Sequence, residues 1–229
     1  MELLKKVKVK EWLIFLGILF LFLYLDYFIV YGYYISGTDL YHLSIINKIV
    51  ILFAKYIILF IVFIIRDHKY LKEKWFDFTK NFKKYFKISF NNWFAGFIIM
   101  VISNIIISHF ITGLGENESS VQEMIRSIPV IAFILTTICA PFIEEMVFRK
   151  YLQPCVDSKV LYMILSGFIF GIIHTSVSSN ILELLLVIPY GALGFMFAKT
   201  INETDNIYAT ILMHMLHNGV LTLIAIWGL

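Results

Sequence analysis

Long, continuous apolar runs separated by short polar stretches set the rhythm of the chain. The first three run from Trp12 to Tyr31, Ile49 to Ile65 and Trp93 to Thr112. Four more follow, from about Ile128 to Gln153, Val160 to Ser176, Ile181 to Thr200 and Ile207 to Trp227. A bilayer-spanning helix takes about 20 predominantly apolar residues, whereas strands of a membrane barrel alternate polar and apolar positions. The pattern therefore predicts an all-α polytopic membrane bundle of about seven transmembrane helices. Between Arg66 and Lys87 the pattern changes. Trp75, Phe76, Phe78, Phe82, Tyr85 and Phe86 interleave with Lys69, Lys72, Lys74, Lys80, Lys83, Lys84 and Lys87. Aromatics on one side and lysines on the other describe an amphipathic interfacial helix resting on anionic headgroups. A segment between two spans suits that role better than nucleic-acid binding. Gly113 to Ser127 reads as an acidic loop. Ser120 with Glu123, and Asn180 with Glu183, have capping-box spacing and should open the helices that follow, which gives Glu183 a structural role.

Composition narrows the class. Apolar residues make up 60% of the chain and charged residues 15%, and the mean hydropathy is +0.83, which excludes a water-soluble globule and a disordered tail. The net charge of +3 is unevenly spread. Lys5, Lys6, Lys8 and Lys10 precede the first span, and with the basic stretch after the second they predict a multi-pass cell-membrane protein with a cytoplasmic N-terminus. The acidic segment around Glu116, Glu118 and Glu123 then lies outside, and seven crossings leave the C-terminus outside too. The first run is too long for a signal peptide and lacks a small-residue cleavage site, so it reads as a retained anchor. Residues 1–89 hold the N-terminal spans and the interfacial helix, and residues 90–229 a catalytic helix bundle, within one membrane-embedded domain. Cys139 and Cys155 fit neither a disulfide framework nor a metal-ligand spacing.

Ionisable side chains inside a span are expensive and by default functional. Asp26, near the end of its span, and Lys55, whose stem is long enough to snorkel, read as structural. The stretch from Pro141 to Arg149 is different, because it places Glu144 and Glu145 side by side among apolar residues. Arg149 follows Glu145 by one helical repeat and pairs with it, while Glu144 is rotated about 100° away. Glu144 is left facing elsewhere, beside a like charge in apolar surroundings, the preparation of a general base. His174 is as far after position 159 as Glu144 is before it. Two antiparallel helices joined by the turn at Pro154 to Lys159 would carry both side chains to the same depth, roughly 20 Å from the hairpin tip at 1.5 Å per residue. On the last helix, His214 and Asn218 share a face and offer hydrogen bonds to a developing oxyanion. His217, offset by a turn, could substitute.

Together these residues resemble the CPBP (CAAX protease and bacteriocin-processing, or Abi) family of intramembrane proteases, which includes the Ras-converting enzymes. Glu144, Glu145 and Arg149 match its Glu-Glu-x-x-x-Arg motif, Phe170 and His174 its Phe-x-x-x-His, and His214 and Asn218 its His-x-x-x-Asn. Lys150 stands where a Gly commonly follows the motif Arg. The resemblance covers roughly residues 90 to 227. It implies an intramembrane endopeptidase in which Glu144 and His174 activate a water, His214 and Asn218 stabilise the oxyanion, and Glu145 and Arg149 support them. The substrate would be a membrane-associated protein or peptide, with the bilayer as partner and no nucleic acid. Abundant Ile, Phe, Lys, Asn and Tyr suggest an AT-rich bacterial genome, where prenylated CAAX proteins are not expected. The family is often named metalloprotease, and Glu144, His174 and His214 would be the ligands of a zinc site. The sequence leaves the cofactor open and favours none. No His-Glu-x-x-His, Gly-x-Gly-Asp or complete Gly-x-Ser-Gly motif is present. The competing readings are a proton-coupled transporter, for which repeated halves are missing, and a non-catalytic bacteriocin-immunity protein.

Overall fold

The computed structural model describes residues 2–36, 45–111, 115–175 and 181–228. They form eight helices and no strand: α1 (Glu2–Ile35), α2 (Ile45–Lys80), α3 (Phe82–Ile107), α4 (Glu116–Ser127), α5 (Pro129–Cys155), α6 (Lys159–Ile173), α7 (Ile181–Thr204) and α8 (Ile207–Trp227). All but α4 and α6 are long and apolar enough to cross a bilayer, so the protein is an all-α polytopic bundle. The fifth expected span is the exception in length. With 15 residues, α6 extends only about 22 Å at 1.5 Å per residue, short of a hydrocarbon core of about 30 Å.

Three local expectations change. The acidic segment after α3 is a helix, α4, capped at Gly115. Ser120 and Glu123 therefore sit inside a helix and do not open one. Ile128, with φ −145° and ψ 64°, breaks α4 from α5, and Pro129 follows at the first helical position, where its missing N–H costs nothing. The basic aromatic stretch is no separate helix. It continues α2 beyond a kink at Asp67 (φ −120°, ψ 15°) and passes into α3 at Asn81. The kink places the Asp67 carboxylate where both Lys150 Nζ and the Tyr151 hydroxyl donate to it, which fastens α2 to α5. The proposed cap at Asn180 lies outside the described residues, and Glu183 is buried with its Oε2 unpartnered among the described residues. Lys55 does not simply snorkel; its Nζ lies 3.2 Å from Asp26 Oδ2 and ties α2 to α1.

One end of the bundle is laced by polar contacts. Lys8 at the start of α1 pairs with Asp157 in the α5–α6 turn. Lys74 bonds Asp205 in the α7–α8 turn at 2.8 Å. Asn206 caps α8 by accepting from Tyr208 N–H, while its amide donates to Lys74 O and Asp77 Oδ2. Asn202 donates to Lys159 O at 3.2 Å. The opposite end carries the α3 exit, α4, the end of α6 and the end of α8.

Backbone contact between α6 and α7 sets the position of the second motif pair, Phe170 and His174. A Cβ at Gly167 would stand 2.7 Å from Gly191 O, and one at Gly171 2.6 Å from Val187 O. Small residues let helices approach closely where lipid supplies no hydrophobic drive. With α6 drawn against α7, Phe170 packs on Gly194 and His174 stacks on Tyr190.

Candidate active site

Glu144 and Glu145 lie in a short α-helical stretch of α5, Ala140–Glu145, between two π-helical stretches, Leu135–Cys139 and Met146–Tyr151. In the first stretch Ala140 N–H bonds Leu135 O. One residue further on, the partner of Thr136 O in this register would be residue 141, a proline with no N–H. Asn218 fills the vacancy, its Nδ2 donating to Thr136 O at 2.9 Å. The same nitrogen carries a second N–H, and Asn218 lines the cavity described below. A tertiary contact thus satisfies a backbone group that lipid could not, and it fixes the amide that the sequence marks as an oxyanion donor.

The predicted pair is formed. Glu145 Oε2 lies 3.1 Å from Arg149 Nε, and both side chains are 0% exposed. The contact is ionic without the alignment of a hydrogen bond. Arg149 Nη1 donates to Ser166 Oγ at 3.2 Å, and Ser166 in turn donates to Phe148 O. The guanidinium also stands over the Phe170 ring, 4.8 Å from its centroid. The other Glu145 oxygen accepts from His214 Nδ1 at 2.9 Å. Glu145 is therefore held from two sides by a cation and an imidazole, as a buried charge requires.

Glu144 instead faces the cavity and the other nitrogen of His214. Its Oε2 is 3.8 Å from His174 Nε2 and 3.7 Å from His214 Nε2. His174, just past the last residue of α6, contacts Phe170 O through Nδ1 at 2.8 Å. A carbonyl only accepts, so Nδ1 carries a hydrogen and the ring turns Nε2 toward Glu144. His214, donating through Nδ1 to Glu145, likewise presents Nε2 to Glu144. Distances of 3.7–3.8 Å exceed a direct hydrogen bond and suit one water bridging carboxylate and imidazole. Among the described residues no three His, Cys, Asp or Glu side chains converge as a set able to hold a metal ion. These donors fit a water better than a metal, and no metal step is derived.

A cavity of about 790 Å³ opens above this cluster and reaches Glu144, His174, His214, His217 and Asn218. Two features around it escaped the sequence. One is α4, which contributes Glu118 and Gln122 to the lining. The other is Trp93, whose Nε1 donates to His217 Nδ1 at 3.3 Å. An indole N–H can only donate, so neutral His217 keeps its hydrogen on Nε2. A tryptophan among apolar residues of α3 gives no sequence signal of this contact. Ser166, one residue before a packing glycine, was visible only as half of an incomplete rhomboid motif.

Residues 126–220 match a family model described as Type II CAAX prenyl endopeptidase Rce1-like. Three curated relatives are similar. "Putative membrane peptidase YdiL" of Bacillus subtilis (strain 168) is 32% identical over 54% of this chain and 51% of its own length. An uncharacterized protein of Mycoplasma capricolum subsp. capricolum is 30% identical over 59% of this chain and 42% of its own. UPF0177 protein YbdI of Lactococcus lactis subsp. lactis is 27% identical over 58% of this chain and 76% of its own. The chain thus spans about half the length of the first two. No solved structure matches it.

Proposed function

From the match of residues 126–220 to the Rce1-like model of type II CAAX prenyl endopeptidases, we propose that the protein is an intramembrane endopeptidase that hydrolyses a peptide bond of a membrane-associated protein or peptide. The observation that carries this reading is the Glu144 carboxylate facing two imidazole Nε2 atoms at the base of a cavity. In the proposed reaction a water held between Glu144 and His174 gives its proton to Glu144, and its oxygen bonds the scissile carbonyl carbon. The oxyanion accepts from the second N–H of Asn218 and from His214. Because His214 Nδ1–H is engaged by Glu145, His214 donates from Nε2 only as the imidazolium, with Glu145 as its counter-charge once Glu144 has taken the proton. Glu144 then passes the proton to the leaving nitrogen as the C–N bond breaks. Arg149 holds Glu145 in place and touches no reacting atom. A proton-coupled transporter gains less support, since Phe148, Arg149, Leu152, Tyr162 and Ile207 are buried below the cluster. The test is Glu144→Gln, which keeps the shape and removes the base. It should lower cleavage at least 10²-fold with helicity unchanged, and retention of more than about a tenth of the activity would refute the assignment.

A further inference from the structure

The cavity has a direction. From Glu144 it runs past Asn104 of α3, Ile111 in the connection that follows, Glu118 and Gln122 of α4, and Thr222 of α8, all toward the α4 end. On the other side of Glu144 the bundle is packed solid. Phe148, Arg149, Leu152, Tyr162 and Ile207 are each less than 2% exposed, and neither the α5–α6 turn nor the α7–α8 turn lines the cavity.

The same axis separates the charges. Every Lys and Arg of the chain except Lys48, Lys55, Arg126 and the buried Arg149 belongs to a segment gathered at the packed end. That end combines the start of α1, the α2–α3 junction, the α5–α6 turn and the α7–α8 turn, held to one another by Lys8–Asp157, Lys74–Asp205 and Asn202–Lys159. Lys and Arg in short connecting segments mark the cytoplasmic side. The cavity end instead carries Glu118 and Glu123 against one Arg126.

We infer that the cavity over Glu144 opens on the outer face of the membrane and that the substrate is a polypeptide segment already on that side, either translocated or membrane-anchored with its cleavage site outside. This rests on the endopeptidase reading for what the cavity holds, and on packing and charge alone for where it opens. A polar rim of Asn117, Glu118 and Gln122 over apolar walls such as Leu193 and Leu221 suits an extended peptide, with backbone groups met at the rim and side chains below.

The test separates the two. With Cys139 and Cys155 replaced by Ala, Asn117→Cys, Leu221→Cys and Lys80→Cys variants are exposed in intact cells to a membrane-impermeant maleimide. Cysteines at 117 and 221 should label from outside and the one at 80 only after permeabilisation. Labelling at 80 with protection at 117 and 221 would overturn the inferred opening whatever the enzyme does. A quenched-peptide library is then offered to sealed right-side-out and inverted vesicles. Cleavage by right-side-out vesicles supports the proposal, and cleavage by inverted vesicles alone overturns it. Peptides left intact by both, and by the detergent-solubilised protein, overturn the endopeptidase reading, and the labelling then decides the opening by itself.

Discussion

Replacing Arg149 by Met tests whether the buried cluster is one electrostatic unit. The guanidinium is fully buried, 3.1 Å from Glu145 Oε2 and over the ring of Phe170, and Met keeps much of its apolar length while removing the charge. Glu145 would then be buried with only His214 beside it. Removing one partner of a buried ion pair typically costs about 3–5 kcal/mol, and loss of the ring contact adds to it. At 1.36 kcal/mol per decade, the folded population should fall relative to the unfolded by between about 10² and 10⁴-fold. The double variant Glu145→Gln/Arg149→Met removes both charges, and its amide oxygen can still accept from His214 Nδ1. It should regain stability to within about 1 kcal/mol of the parent, since neutral replacements of buried pairs are often neutral or better. Turnover should not return with it, because an amide is no counter-charge for a protonated His214. Reversible denaturation in mixed micelles, followed by far-ultraviolet circular dichroism, reads the first quantity, and peptide cleavage the second. A single variant within about 1 kcal/mol of the parent, or a double variant no more stable than the single, would show that Arg149 does not neutralise Glu145.

Three other outcomes follow from the site. Purified protein should keep its activity after exhaustive chelation; activity that disappears and returns with stoichiometric zinc would make Glu144, His174 and His214 metal ligands. Asn218→Ala removes an oxyanion donor and the hydrogen bond to Thr136 O, so turnover should drop about 10² to 10³-fold with stability lowered by about 1 kcal/mol. A loss confined to substrate affinity would contradict the oxyanion role. Trp93→Phe removes the donor that fixes the His217 tautomer, so nitrogen-15 NMR should find the proton on Nε2 in the parent and shared between the two nitrogens in the variant. Protonation at Nδ1 in the parent would refute the indole contact.

Local periodicity and length account for the features that are legible along the chain. Apolar runs of about the length that crosses a bilayer specify a helical membrane bundle. The four-residue spacing specifies the Glu145–Arg149 pair, and equal distances from one turn bring Glu144 and His174 to one depth, where they stand 3.8 Å apart. Basic and aromatic residues after the second span were legible as a special segment, though their continuity with α2 was not, since the break at Asp67 is stabilised by Lys150 and Tyr151, more than eighty residues away. Tertiary structure alone decided the rest, because those features depend on groups that sequence spacing does not relate. The π register of Leu135–Cys139 leaves Thr136 O to be satisfied by Asn218 across a helix interface, where a strict α pattern would have hidden the vacancy. The His217 tautomer depends on an indole from α3. The solid packing below Glu144 and the open space above it depend on how α6 and α7 close over their glycines, a fit of surfaces that a one-dimensional pattern does not contain.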